Sequence, residues 1–252
     1  MEKGFALVTG ASSGMGVEFA RQLAQRGYKL LIVSNEEAIN DVAKELNATP
    51  LVMDLGRQGA ARELYEYTQR EKMGIEVLVN NAGVYHDRDI LDDSEAFTGL
   101  IMNLHMYTPA MLCYLFGKDM RERRKGYILN VCSVTDKMAA QRLGTYGGTK
   151  AFLSHFTRAL HIELCKYGVH VTNVSPGAVD TGLYNIKPWL TKLGLCLGII
   201  VTPKTLVRRA LRALFWGCSK TIVPAVFWRV LCFIILLLPT CVLRLIRRLG
   251  WF

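Results

Sequence analysis

Residues 181 to 252 of this 252-residue chain contain no Asp or Glu. All 21 acidic residues and 20 of the 31 Lys and Arg lie in residues 1 to 180, a net charge of −1, so the formal +10 belongs wholly to the tail. There the bases interleave with the longest aliphatic and aromatic runs, the pattern of a membrane-surface element rather than of a nucleic-acid groove. Paired cysteines are lacking too. The seven cysteines are scattered, odd in number and without a C-x-x-C pair, which speaks against a disulfide framework or a zinc ribbon and for a reducing cytosol. Five histidines supply no H-E-x-x-H pair, so no metal site is expected. Met1 leads within four residues into an apolar run, so no signal or transit peptide is expected. No internal repeat or low-complexity linker occurs. A membrane-spanning run is missing as well: residues 230 to 243 would reach about 21 Å as a helix against a hydrocarbon core of about 30 Å, and Pro239 shortens it. An interfacial or re-entrant anchor is expected there, with a core helix or dimer interface as the alternative.

What is present begins with Phe5-Ala-Leu-Val-Thr9, an apolar run that enters Gly10-Ala-Ser-Ser-Gly14-Met15-Gly16 and then a stretch of 3.6 periodicity. Strand, glycine turn and helix make a phosphate cradle: glycine lets the backbone approach a pyrophosphate, and the helix start offers N–H groups and the positive end of its dipole. Gly10, Gly14 and Gly16, with Ser12, Ser13 and Met15, are candidate cofactor contacts. Further strands are predicted over residues 28–33, 51–53, 76–79, 127–132, 169–174 and 221–223, separated by helical stretches. That alternation implies right-handed crossovers and an α/β, doubly wound parallel sheet of about seven strands with helices on both faces. Residues 1–223 are read as one domain, and 224–252 as an apolar, basic tail. Residues 96 to 120 read as one long helix with Asn103 inside it and a kink at Pro109, and the charged stretch 121–125 that follows reads as a solvated helix end.

Ligands sit at the carboxyl ends of such strands, and there the polar residues fall: Asp54 with Leu55, Asn80-Asn81-Ala82-Gly83, Ser133, and Pro176-Gly177 leading to Val179 and Thr181. Tyr146 and Lys150 stand one helical turn apart on one face. A phenol with a pKa of about 10 is a poor base at neutral pH, and a fixed positive charge beside it favours the phenolate. A second Y-x-x-x-K, Tyr114 to Lys118, follows no strand-end serine and reads as a packed or surface tyrosine.

Thr9-Gly-x-x-x-Gly-x-Gly, Asp54, Asn80-Asn-Ala-Gly83, Asn103, Ser133, Tyr146-x-x-x-Lys150 and Pro176-Gly177 with Thr181 together resemble, in order and spacing, the short-chain dehydrogenase/reductase family over about residues 4 to 181. The resemblance implies a Rossmann-type fold and a nicotinamide dinucleotide. It also implies that Tyr146 exchanges the proton on the substrate oxygen and Ser133 hydrogen-bonds that oxygen. Lys150 would lower the tyrosine pKa and bind the nicotinamide ribose, and Asn103 would hold a water leading from Lys150 to solvent. Asp54 would meet the adenine, Asn81, Ala82 and Gly83 the adenosine side, and Val179 with Thr181 the carboxamide. The structural alternatives are that Asn103 caps a helix kink and that Asn80-Asn81 is only a turn. Ser34-Asn35, after the second strand, offers neither the carboxylate that repels a 2′-phosphate nor an arginine that binds it, and Glu36 is expected to point away. NADP(H) is therefore favoured, with NAD(H) as the alternative.

The resemblance also implies that the segment after Pro176-Gly177 covers the substrate, and the apolar stretch from Trp189 to Ile200 makes that lid hydrophobic, so the expected substrate is a lipid-like ketone or secondary alcohol. The expected setting is cytoplasmic, peripheral on the inner face of a membrane, as a homo-oligomer with no nucleic-acid partner. A soluble 3-oxoacyl-carrier-protein reductase is one alternative and a non-catalytic dinucleotide sensor or scaffold the other.

Overall fold

A computed structural model describes residues 3–137, 142–180, 188–217 and 226–237. Six strands, β1 (Phe5–Thr9), β2 (Lys29–Ser34), β3 (Thr49–Val52), β4 (Ile75–Asn80), β5 (Gly126–Val131) and β6 (Val169–Val174), form one parallel sheet in the order β3-β2-β1-β4-β5-β6. The predicted strands are all there within one or two residues, except the seventh, at 221–223, which lies outside the described residues, as do Thr181 and residues 238–252. A two-residue pair, β7 (Ala178–Val179) with β8 (Ile200–Val201), was not foreseen.

Alternation along each strand sends side chains to two faces. Ala6, Val8, Leu30, Ile32, Val77 and Val79 point to one core. It is closed by Phe19 and Leu23 of α1 (Gly14–Ala24), Ile39 and Ala43 of α2 (Ile39–Leu46), and Leu206, Leu211 and Leu214 of the helix Pro203–Phe215. Leu7, Leu31, Val33, Leu78 and Ile128 point to the other core, under Leu64 of α3 (Ala60–Arg70) and Leu112, Phe116 and Met120 of the long helix Thr108–Glu122. Burying each such Leu, Ile or Phe is worth about 1.5–3 kcal/mol, so the two layers fix the sheet and hence the positions of its strand ends.

The remaining helices are α4 (Glu95–Met102), α5 (Thr108–Glu122), α6 (Gly144–Leu164), α7 (Pro188–Cys196), α8 (Pro203–Phe215) and α9 (Val226–Leu237). The helix expected over residues 96 to 120 is α4 and α5 joined by a π turn, Asn103–Tyr107. The expected kink at Pro109 is placed just before it: proline brings no N–H, and the ladder is distorted in the turn preceding it. The basic stretch 121–125 is exposed, as expected of a solvated helix end. Within it the Arg123 guanidinium donates to the carbonyls of Ile75 and Lys125, tying the start of β4 to the start of β5, and Lys125 pairs with Glu76 at 3.0 Å.

Candidate active site

The sheet order reverses at β1, which has β2 on one side and β4 on the other, opening a crevice at their carboxyl ends. Gly10 turns there with φ +64, and its N–H donates to the Val33 carbonyl at 2.7 Å. A Cβ on Gly10 would stand 2.8 Å from the Ala82 Cα, and one on Gly16 would overlap the Gly10 carbonyl. The turn is closed tightly against the β4 loop. Thr9 Oγ1 accepts from the N–H groups of Asn81 and Ala82 at 3.0 Å, and Asn81 Nδ2 donates to the carbonyls of Thr9 and Gly10 at 3.0 Å. Asn81 is thus the lace between the two loops. Asn80 instead belongs to the core, where its amide donates to Asn130 Oδ1 at 2.8 Å and Asn130 donates on to Thr157.

A cavity of about 320 Å³ lies over this turn. Gly10, Ser12, Ser13, Gly14 and Met15 form its floor, Ser34, Asn35, Asp54 and Leu55 one end, and Asn81, Ala82 and Gly83 the flank, while Gly16 lies beneath the turn. Asp54 Oδ1 takes the Gly56 N–H at 2.8 Å, and the Ser34 hydroxyl donates to Ser12 at 3.0 Å. Glu36 is also among the residues that line the cavity. The described lining contains two carboxylates, Glu36 and Asp54, and no Lys or Arg.

A second cavity, of about 80 Å³, shares Met15, Asn81, Gly83 and Val84 with the first, so the two form one trough. It brings together Ser133, Tyr146, Lys150, Pro176, Gly177 and Val179 from three separate segments. Ser133 follows β5 and is buried, its Oγ accepting the Thr135 N–H at 3.3 Å. Lys150 is 5% exposed; its Nζ donates to the Val131 carbonyl at 3.2 Å and lies 5.8 Å from the Tyr146 ring centroid. Burial pushes its pKa down to about 8, with Cys132 opposing slightly. An ammonium held in a dry site beside a phenol is the arrangement that favours a phenolate. Tyr114, by contrast, is half-exposed, with the Lys118 ammonium 4.4 Å over its ring and a pKa held below the ordinary phenol value by its hydrogen bond to Lys118.

Asn103 stands at the start of the π turn, and its amide donates to the Gly56 carbonyl at 2.7 Å. That fastens the helix distortion to the loop after Asp54, the structural alternative weighed for it. Three contributors lay outside the sequence reading. His105 is buried on the same π turn: Nε2 accepts the Val84 N–H at 3.0 Å, so the neutral ring carries its proton on Nδ1 and donates to Thr149 Oγ1 at 3.1 Å. Thr149 in turn donates to the Tyr146 carbonyl at 2.8 Å. The His105 pKa is held well below its usual value by burial first and by Lys150 second. Tyr85 packs edge-on against Tyr146 at 5.5 Å. Trp228 of α9 covers Gly177, where a Cβ would overlap its indole. A position just beyond Asn-Asn-Ala-Gly could have drawn attention to Tyr85; nothing in the spacing marks His105 or Trp228.

A model of the family described as short chain dehydrogenase matches residues 4–188. The chain belongs to the short-chain dehydrogenase family. The trough fits a nicotinamide dinucleotide cofactor, since the cradle at Gly10 and Gly16 leaves no room for a side chain. A very-long-chain 3-oxoacyl-CoA reductase of Danio rerio is 31% identical over 198 residues, 75% of this chain and 62% of that protein. The inactive hydroxysteroid dehydrogenase-like protein 1 of Homo sapiens is 30% identical over 226 residues, 86% of this chain and 66% of that one. The chain therefore spans just under two thirds of the length of either relative. A solved bulky-bulky ketone specific alcohol dehydrogenase from Comamonas testosteroni is 25% identical with a TM-score of 0.76, covering 89% of this chain and 87% of that one.

Proposed function

We propose that this short-chain dehydrogenase interconverts a ketone and a secondary alcohol on a hydrophobic, lipid-like substrate, long-chain 3-oxoacyl thioesters included. The observation that carries the reading is the convergence of Ser133, Tyr146 and Lys150 on one cavity continuous with the glycine-turn cavity. Bound NAD(P)H supplies a hydride to the carbonyl carbon. Ser133 hydrogen-bonds the carbonyl oxygen and orients it, and Tyr146 delivers the proton that completes the alcohol. Lys150 stabilises the resulting phenolate and is positioned toward the ribose side, while the Asn103 turn lies on the route by which Tyr146 is reprotonated. Asp54 would meet the adenine, Asn81, Ala82 and Gly83 would flank the adenosine, and Val179 with Thr181 would receive the carboxamide. Residues 1–223 act as the catalytic domain of a homo-oligomer, working peripherally at a membrane surface through the tail.

The relative named as inactive raises the non-catalytic alternative, and the intact Ser133, Tyr146 and Lys150 set stands against it. The deciding experiment is Tyr146→Phe. Cofactor binding, read as thermal stabilisation of about 2.7 kcal/mol at 100 times Kd, should persist while turnover of a long-chain ketone falls about 10²–10⁴-fold. Turnover equal to that of the native chain would overturn the mechanism.

A further inference from the structure

Two helices beside the catalytic cavity carry apolar stripes that face outward. In α9, Val226, Val230, Phe233, Ile234 and Leu237 recur at the spacing of one helical face, and all five are 49–74% exposed. Trp228 falls on the opposite side of that helix, where its Nε1 donates to the Ile199 carbonyl at 2.7 Å and its ring covers Gly177. The helix also abuts the 3₁₀ turn Val134–Lys137 that directly follows Ser133. On α7, Trp189 and Leu193, continued by Leu197, make a second exposed stripe at four-residue intervals. Ile199, which holds Trp228, follows α7 by three residues, so the two helices are fastened together at the mouth of the site.

Charge decides what covers these stripes. Residues 181–252 hold 11 Lys and Arg and no carboxylate. A second copy docking through the same segment would bring cation against cation. An anionic bilayer takes the aliphatic side chains into its acyl boundary and pairs the bases with its headgroups. We propose that α7 and α9 form a docking face for an anionic lipid bilayer, and that Trp228, reaching from the inner side of α9 onto Gly177, seats the mouth of the catalytic cavity against it. The substrate then passes from lipid to Ser133 and Tyr146 without crossing water. This rests on the reading of the substrate as a hydrophobic ketone.

The test is flotation of the full chain with vesicles of equimolar phosphatidylcholine and phosphatidylglycerol, beside vesicles of phosphatidylcholine alone. The native chain should float with the first and remain below with the second. Val230→Glu/Phe233→Glu should lower the bound fraction about tenfold or more, and Leu193→Glu on α7 should lower it independently. NAD(P)H thermal shifts report that each variant is folded. Equal flotation of native and variant chains overturns the proposal. So does a native dimer that Val230→Glu/Phe233→Glu dissolves while neither form floats, which would make a second copy the occupant. Absence of any NAD(P)H shift in the native chain strikes the catalytic reading instead and leaves the flotation result to stand by itself.

Discussion

Lys150 is the residue at which catalysis and stability pull apart. Its pKa falls from the usual 10.5 to about 8 because the ammonium is buried, and at about 1.4 kcal/mol per tenfold that is about 3 kcal/mol of destabilisation whenever the group is charged. Between those two values the unfolded chain binds the proton and the folded chain does not, so stability rises with pH through the window. Below about 8 the folded protein carries the full cost. Lys150→Met removes it but leaves the Val131 carbonyl without its donor, a loss of about 1 kcal/mol. At pH 7 the variant should therefore be more stable than the native chain by about 2 kcal/mol, or about 4–8 °C in Tm for a chain of this size. It should also have lost turnover. Above pH 10.5 the order should invert, with the native chain ahead by about 1 kcal/mol. Paired urea titrations at the two pH values measure the difference, in which other titrating groups cancel. A variant less stable than the native chain at pH 7 would refute the account of Lys150 as a charge held at a cost.

Glu36→Arg should move preference toward NADP(H) by about tenfold or more in parallel titrations, since it places a cation at a cavity whose described lining holds no Lys or Arg. An unchanged ratio of the two thermal shifts would mean that position 36 does not face the ribose. Gly16→Ala should abolish the cofactor shift and lower Tm, because its Cβ overlaps the Gly10 carbonyl; unaltered titration would contradict the cradle. His105 has a depressed pKa, so its contribution to stability is lost as pH falls below about 6.5, where the unfolded chain takes up the proton first. His105→Gln should flatten that acid limb, and His105→Leu should raise the KM for NAD(P)H more than it lowers kcat by releasing the Val84 N–H. An unchanged acid limb in His105→Gln would exclude His105 as its source.

Much of the site was legible because its residues fall at strand ends, and strand ends follow from apolar runs. Gly10, Asp54, Asn81 and Ser133 could be placed in one crevice once the parallel alternation was recognised. Tyr146 and Lys150 came from helical spacing, and the decoy at Tyr114 was separated from them by context alone. The basic, acid-free tail was equally plain, since charge patterning needs no coordinates.

Only the tertiary structure decided which polar residues face the trough. Glu36 and Ser34 are two residues apart, and the turn after β2 puts both on the wall, which no local periodicity specifies. Asn103 was chosen for its place in the chain, yet its amide is spent on Gly56. The buried histidine two residues later ties Val84 to the helix that bears Tyr146. Trp228 meets Gly177 across 51 residues of chain. Hydrophobic patterning is local and survives in the sequence. Contacts between loops depend on how far each helix carries the chain before it returns, and that is settled only when the two faces of the sheet are packed.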